Sequence, residues 1–463
     1  MDLSPSQQPA RRDVLKAAAF GVTAALSAAG AEQSPDAQDR KPNILLIICD
    51  QLGLDAIGAH GCADVRSPHL DRLIAGGATF LESHSTNPVC SPARSSIMTG
   101  LMSTETGVIS NGRPIHSSRR NLGQWFGARG YETVYCGKWH LPGGYQPRVP
   151  GFHTLPAGKG QGDLNDTLVS HACEAYLRSR PKQKPWLMVA SFLQPHDICY
   201  WGNVRQRRMP KGLPFEPLQG KLPALPPNNT SRPKAPKWLD ARRVDDYSPE
   251  QWQYYLYIYA RMIEMLDADV GRLLRAVEDS GQAENTIIVF TSDHGDGRGR
   301  HKHVSKWYPY DEAMKVPLIV SYAGRITPGT VDRTHLVSGT DIMPTLCDYA
   351  GIEAPKPCTG MSLRPILERR DVTWRPYLVA DYGPAGHIVR TARYKYATYK
   401  GDPVEQLFDM QADPWETTNL YEQAKYAPVL AEHRKMLAAF QSTLDRVAPT
   451  AGPPRRRPGR GRS

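Results

Sequence analysis

Several short polar clusters in this 463-residue chain carry the residue types that handle anions. They are Asp50-Gln51, Cys90-Ser91-Pro92-Ala93-Arg94, Lys138-Trp139-His140, Gln194-Pro195-His196-Asp197 and Asp293-His294, with Lys306 a little further on. Carboxylate oxygens such as those of Asp50 and Asp293 are hard donors that suit calcium or magnesium rather than zinc, while His294 would be a softer donor. Arginine and lysine supply fixed positive charge, and the imidazoles of His140 and His196 titrate near neutral pH and can move protons. Cys90 opens a predicted helix, whose N-terminal dipole and free N–H groups favour an anion. Taken singly, each residue has a plain structural reading: an aspartate caps a helix or a turn, a lysine sits at the surface, a histidine satisfies a hydrogen bond.

The elements that must position these clusters alternate. The apolar run Asn43 to Cys49, ending at Asp50, reads as a fully buried strand. Ser67-Pro68 starts a helix that Gly76-Gly77 stops. Asn121–Gly130 reads as a helix and Tyr131–Cys136 as a strand; Thr167–Arg178 and Trp186–Phe192 repeat the pair, as do Pro249–Ser280 and Thr286–Thr291. Strand and helix in alternation predict an α/β fold around a large, mostly parallel sheet sandwiched by helices. In such sheets ligands sit beyond the carboxyl ends of the strands. Asp50, Lys138–His140, His196 and Asp293-His294 each follow a predicted strand. Residues 195–248 are rich in Pro, Lys and Arg without periodicity, and predict a long loop. Past about residue 370 the rhythm changes to short strands at Tyr377–Ala380, His387–Thr391 and Tyr394–Tyr399, then a helix around Tyr426–Val447. That predicts a smaller antiparallel sheet with a helix.

On these residues the chain resembles the formylglycine-dependent (type I) sulfatases of the alkaline-phosphatase-like superfamily. The carriers are the C-x-P-x-R pattern at Cys90–Arg94, Gly137-Lys138-Trp139-His140-Leu141, Pro195-His196-Asp197, and Thr291-Ser292-Asp293-His294-Gly295. Val316–Ile319, Asp341–Leu346 and Asp413–Leu420 match further family segments, so the resemblance runs in order from residue 43 to residue 420. It implies that Cys90 is oxidised to formylglycine by a formylglycine-generating enzyme, and that a sulfate ester, on a small molecule or a glycan, is hydrolysed. It also implies a metal, usually calcium with magnesium as the other candidate, held by Asp50, Gln51, Asp293, His294 and the modified Cys90. Arg94 and Lys138 are then expected beside the modified residue, His140 as the base that releases sulfate, and His196 with Lys306 on the sulfate and the leaving oxygen. Gln51 departs from a common family pattern of paired aspartates; its amide oxygen can still coordinate calcium. A phosphonate or phosphate ester hydrolase of the same superfamily is the alternative, since both groups are tetrahedral and anionic, and a non-catalytic glycan-binding relative is a third.

Arg11-Arg12 ahead of the small apolar run Ala17–Ala29, and Ala29-Gly30-Ala31 after it, resemble a twin-arginine export signal. The expected division is therefore 1–31 signal, 32–370 catalytic domain, 371–450 smaller subdomain and 451–463 basic tail, with the mature chain working outside the cytoplasm. The formal charge of +11 invites a nucleic-acid reading, but five of those charges are arginines in the last nine residues. The rest suits anionic substrates, and no nucleic-acid partner is expected. No run of about eighteen apolar residues occurs, so no membrane-spanning helix is expected. The eight cysteines are scattered without a CxxC pair, and consuming Cys90 leaves an odd number. His301, Lys302 and His303 read either as pocket lining or as an exposed loop. Tyr254, Tyr255, Tyr257 and Tyr259 read as core and boundary positions of a helix.

Overall fold

The computed structural model describes residues 40–142, 148–157, 166–180, 183–200, 220–382 and 386–452. The twin-arginine-like segment and all of the basic tail beyond Gly452 lie outside the described residues. From Lys41 onward the chain forms one compact unit.

The strands, in chain order, are β1 (Asn43–Asp50), β2 (Ala78–Phe80), β3 (Ser83–His84), β4 (Glu132–Gly137), β5 (His153–Leu155), β6 (Trp186–Pro195) and β7 (Thr286–Ser292). They continue with β8 (Leu318–Ser321), β9 (Thr330–Asp332), β10 (Val337–Ser338), β11 (Tyr377–Tyr382), β12 (Gly386–Thr391), β13 (Tyr394–Tyr399) and β14 (Gln406–Asp409). An eight-stranded sheet runs β5-β4-β6-β1-β7-β8-β2-β9. All its pairings are parallel except those β8 makes with β7 and β2, so the sheet is mixed by one reversed strand.

β1 lies at the centre because its residues are buried at every position, as a strand covered on both faces requires. Leu46 pairs with Val189 of β6 on one side and Val289 of β7 on the other. One face is covered by the helices Pro68–Ala75, Asp166–Ser179 and Pro249–Asp279. The other is covered by Cys90–Thr99, Leu122–Gly127 and Ile342–Tyr349. Truncating a fully buried leucine such as Leu46 to alanine would cost about 2–5 kcal/mol. The longest helix, 31 residues, is started by Ser248, whose Oγ accepts the Gln251 N–H while the Gln251 side chain accepts the Ser248 N–H, with Pro249 in the first turn.

The smaller sheet, β11-β12-β13-β14, is antiparallel throughout. One face packs Tyr382 and Tyr399 against Trp238 and Tyr310, and the other receives Leu430 and Leu437 of the helix Ala427–Thr443. That helix stops four residues short of the expected Val447. The chain leaves it extended and straps back over the larger unit, where Val447 N–H reaches Thr104 O (3.4 Å) and Thr450 N–H reaches Gly107 O (3.1 Å). β8 begins two residues later than the Val316–Ile319 run suggests. The eight cysteines are all free thiols. Among the described residues no helix is long and apolar enough to cross a membrane.

Candidate active site

Four strand ends and one helix start meet at a point. β1 delivers Asp50 and Gln51, β4 Lys138 and His140, β6 His196, and β7 Asp293 and His294, while Cys90 is the first residue of its helix. Local backbone makes these deliveries possible. Gly137 has φ +99°, and a Cβ there would lie 2.0 Å from Ser191 O, so only glycine lets β4 turn into Lys138 beside β6. Asp166 fixes the approach to His196 by accepting the N–H groups of Leu193 and Gln194, both at 2.7 Å. Burial pushes its carboxyl up to about 7 against the pull of those donors.

Around Cys90 Sγ lie Lys306 Nζ at 3.0 Å, His294 Nε2 at 3.2 Å, Asp50 Oδ1 at 3.8 Å and Lys138 Nζ at 4.0 Å. Asp50 is fully buried and meets Lys138 Nζ at 2.7 Å and Arg94 Nη2 at 3.0 Å. Arg94 spans the site: its Nε donates to Asp293 Oδ2 (2.8 Å) and its Nη1 to Lys138 O (3.1 Å) and Ser191 Oγ (2.8 Å). His196 Nε2 stands 3.9 Å from Asp50 Oδ1. Ser91 Oγ donates to His140 O at 2.5 Å, tying the base of the helix to the β4 turn. His140 Nδ1 and His196 Nδ1 are buried without a hydrogen-bond partner, so each has a ring nitrogen free for a ligand.

The electrostatics are those of an anion site. Arg94, Lys138 and Lys306 face two carboxylates, Asp50 and Asp293, leaving positive charge in excess. Burial opposes ionisation of Asp50, but Lys138, Lys306 and Arg94 outweigh it and hold its carboxyl well below the usual range. Asp293 goes the other way, up to about 6, through burial and the neighbouring Asp50. Burial and Asp50 work against the Cys90 thiolate, yet Lys138, Lys306 and His294 prevail and lower the thiol well below its ordinary value. Burial, with Lys306 and Lys138, lowers His196 and keeps it neutral; burial likewise lowers His140.

Asp50, Cys90, Asp293 and His294 each turn a donor atom inward, all within 4.8 Å of one another. His294 Nδ1 lies 2.9 Å from Gly295 O, the partner a ring N–H would take, and this orientation leaves Nε2 for the cluster. Gln51, with φ +72°, lies against them: its N–H donates to Asp293 Oδ1 (3.2 Å) and its Oε1 accepts from Lys306 (2.9 Å). The arrangement therefore suits a divalent cation and a bound tetrahedral anion at the mouth of the Cys90 helix.

The sulfatase family model matches residues 42–352. The chain belongs to the sulfatase family. A second family model, the C-terminal part of N-sulphoglucosamine sulphohydrolase, matches residues 299–443 of this sulfatase. Sulfatases are sulfuric ester hydrolases, and membership implies a formylglycine and a metal ion. The chain is 32% identical over 433 residues to a delta 4,5-hexuronate-2-O-sulfatase of Bacteroides thetaiotaomicron, covering 86% of this chain and 88% of that one. It is 30% identical to a choline-sulfatase of Rhizobium meliloti, over 86% of each chain. The solved structure of a 2-O GAG sulfatase superposes with a TM-score of 0.76 at 28% identity, over 90% of this chain and 99% of that one. A phosphonate monoester hydrolase of Agrobacterium radiobacter, at 24% identity and a TM-score of 0.71, shares the fold over 87% of this chain and 96% of its own.

Asp50, Gln51, Cys90, Arg94, Lys138, His140, His196, Asp293, His294 and Lys306 all reach this cluster or its wall; the His301–His303 segment does not, and Tyr254 and Tyr257 stack on each other on the long helix. The exposed-loop reading does not hold for His301 and His303: they are buried, His303 stacked on Tyr308 (centroids 4.5 Å) and His301 packed at a tilt on Tyr310 (4.3 Å), while Lys302 is half-buried. The residue that sequence reasoning passed over is Asp296. Its carboxylate collects Gln51 Nε2 (2.6 Å), Tyr255 Oη (2.9 Å), Arg298 N (2.8 Å) and Ser305 N (3.1 Å). Its signal was its place two residues after His294, and that of Tyr255 and Tyr259 was their four-residue spacing on one helix face. Tyr259 Oη donates to Gln51 O at 2.6 Å.

Proposed function

We propose that this sulfatase removes a sulfate ester from an anionic carbohydrate, using formylglycine made from Cys90 and a calcium ion. The observation that carries the reading is the buried convergence of Lys306, His294, Asp50 and Lys138 on Cys90 Sγ. Asp50, Asp293, His294 and the Gln51 amide oxygen would hold the ion together with residue 90. Conversion of the thiol to an oxygen function removes the one soft sulfur donor, which favours a hard cation such as calcium over zinc. The carbohydrate assignment draws on relatives named as a delta 4,5-hexuronate-2-O-sulfatase, an N-acetylglucosamine-6-O-sulfatase and an ulvan-active sulfatase.

A formylglycine hydrate supplies an oxygen nucleophile for sulfur and a second hydroxyl through which sulfate is later released, while the cation neutralises sulfate oxygens. The chain's own residues do the rest. Arg94 locks Asp50 and Asp293 in place and, with Lys138, stabilises negative charge at residue 90. Lys306 bears a proton, is held by Cys90, Asp50 and Gln51, and gives that proton to the leaving alcohol oxygen. His196, neutral, hydrogen-bonds the sulfate beside it. His140, neutral at its free nitrogen, accepts the proton that sulfate release requires. Burial of the whole cluster excludes water and strengthens each of these contacts.

Maturation requires a formylglycine-generating enzyme, and the N-terminal 1–31 segment directs export ahead of a catalytic domain at 32–370, a smaller subdomain at 371–450 and the basic tail. N-terminal sequencing of secreted protein starting near Glu32 supports that order, and an intact Met1 on secreted protein refutes it. The activity test is sulfate release from a panel of sulfated mono- and disaccharides, by protein coexpressed with the maturation enzyme. Matched aryl sulfate and phosphate diester substrates run beside them. Faster turnover of the sulfates supports the proposal; faster turnover of the phosphate diester replaces it with the phosphoester reading.

A further inference from the structure

Between the smaller sheet and the larger unit runs a groove of about 470 Å³. Thr104 and Ile109 line it from the larger unit, His387 and Lys400 from β12 and the end of β13, Gln441 from the last helix and Arg446 from the strap. Among the described residues no carboxylate lines it. Lys400 and Arg446 are exposed and make no ion pair among the described residues. Thr104 Oγ1 is buried without a hydrogen-bond partner, and His387 Nδ1 pairs with Asp381 Oδ1 at 3.3 Å. A cavity this size fits a sugar ring, and two exposed cations without a counter-ion can neutralise an anionic ligand there.

The groove is tied to the nucleophile from both sides. Asp381, which faces His387, donates its N–H to Thr86 O at 2.8 Å, four residues before Cys90, and accepts Ser103 Oγ at 2.6 Å. On the other side the segment after Ile109 holds Ser91, next to Cys90: Asn111 Oδ1 accepts the Ser91 N–H at 2.9 Å and Gly112 N–H donates to Ser91 Oγ at 3.1 Å. The strap that carries Arg446 is fixed by Val447 N–H on Thr104 O and Thr450 N–H on Gly107 O.

We propose that this groove is a second anion subsite, taking a sulfate or carboxylate on the sugar that neighbours the one whose sulfate ester lies at Cys90. It rests on the carbohydrate sulfatase reading. Lys400 and Arg446 would clamp the anion in charge-assisted hydrogen bonds. The enzyme is thereby selective for chains that carry anions on consecutive sugars.

The test uses the matured full chain with Lys400→Gln, Arg446→Gln and the double variant. Substrates are a sulfated monosaccharide and sulfated disaccharides whose second sugar bears a sulfate, a carboxylate or neither. Each single variant raises KM about tenfold on the disaccharide carrying the recognised anion, the loss of one charge-assisted bond, with kcat kept. KM on the monosaccharide and on the neutral disaccharide stays put. The anionic disaccharide that responds tells sulfate from carboxylate. Equal KM changes on all substrates, or none in the double variant, overturn the subsite. Calorimetric binding of the anionic disaccharides without the scissile ester reads the groove independently of turnover. Binding that the double variant abolishes upholds the subsite even if no sulfated sugar is hydrolysed, in which case only the proposed function falls; binding unchanged in the double variant overturns it.

Discussion

Replacing Asp296 with asparagine tests how the site holds Gln51. The carboxylate accepts four donors, from Gln51, Tyr255, Arg298 and Ser305, at 2.6 to 3.1 Å. An asparagine keeps one acceptor oxygen, which can serve two of them, and turns an N–H group toward the other two. Each buried donor left without an acceptor costs about 1–3 kcal/mol, so the variant should lose about 3 kcal/mol of stability. The second effect is directional. Gln51 Nε2 now points at Asp296, and that orientation turns Oε1 to Lys306 and the metal cluster. In the Asp296→Asn variant the Gln51 amide is free to flip and present its NH₂ to Lys306 and the cation. Supporting residues of this kind change metal affinity about 10–100-fold. Urea unfolding reads the first effect and calorimetric calcium titration the second. An unchanged unfolding midpoint together with unchanged calcium affinity would refute the reasoning.

Other outcomes follow from the same contacts. Arg94→Lys cannot span Asp50, Asp293, Ser191 and Lys138 O with a single ammonium, and leaves a buried carboxylate without its partner; circular dichroism melts should show a loss of about 3–5 kcal/mol. Calcium added to the matured protein should raise stability by about 2.7 kcal/mol at a hundred times its dissociation constant, and a chelator should remove the gain. His303 is held down to about 3 by burial, with His301 and Arg243 adding to it. Its unfolded form takes up a proton near pH 6.5 while the folded form stays neutral. Stability is therefore full above pH 6.5 and falls as pH drops toward 3, by at most about 1.4 kcal/mol per pH unit for this group. His303→Phe, which keeps the stack on Tyr308, should flatten the pH dependence of the unfolding midpoint between pH 6 and 4; an identical slope in the variant would contradict the assignment.

Much of the architecture was legible because its signals are local. The run Asn43–Cys49 reads as a strand buried on both faces, and the helical pattern from Pro249 marks the start of the long helix, whose Ser248–Gln251 cap only the structure shows. Four of the candidate clusters were legible because each follows a strand end, where a parallel sheet presents its side chains to one place; Cys90–Arg94 was legible from its own spacing at a helix start. Other features depend on contacts distant in sequence. β2 and β9 have three residues each, too few for any periodicity, and they form only as the edge beside β8. The reversal of β8 is set by its pairing with β7, not by its own residues. Asp296 reads as a turn residue until Tyr255, 41 positions away, reaches it. His301 and His303 look like a polar loop, yet Tyr308 stacks on His303, Tyr310 packs against His301 and Asn228 hydrogen-bonds His301, in place of solvent.

Mass spectrometry of the peptide containing Cys90, from protein coexpressed with a formylglycine-generating enzyme, tests the central claim most directly. Converting thiol to aldehyde exchanges two hydrogens and a sulfur for an oxygen, a loss of about 18 mass units. That loss at residue 90 is the predicted result. An unmodified cysteine, recovered while the maturation enzyme converts a control substrate in the same cells, would contradict it.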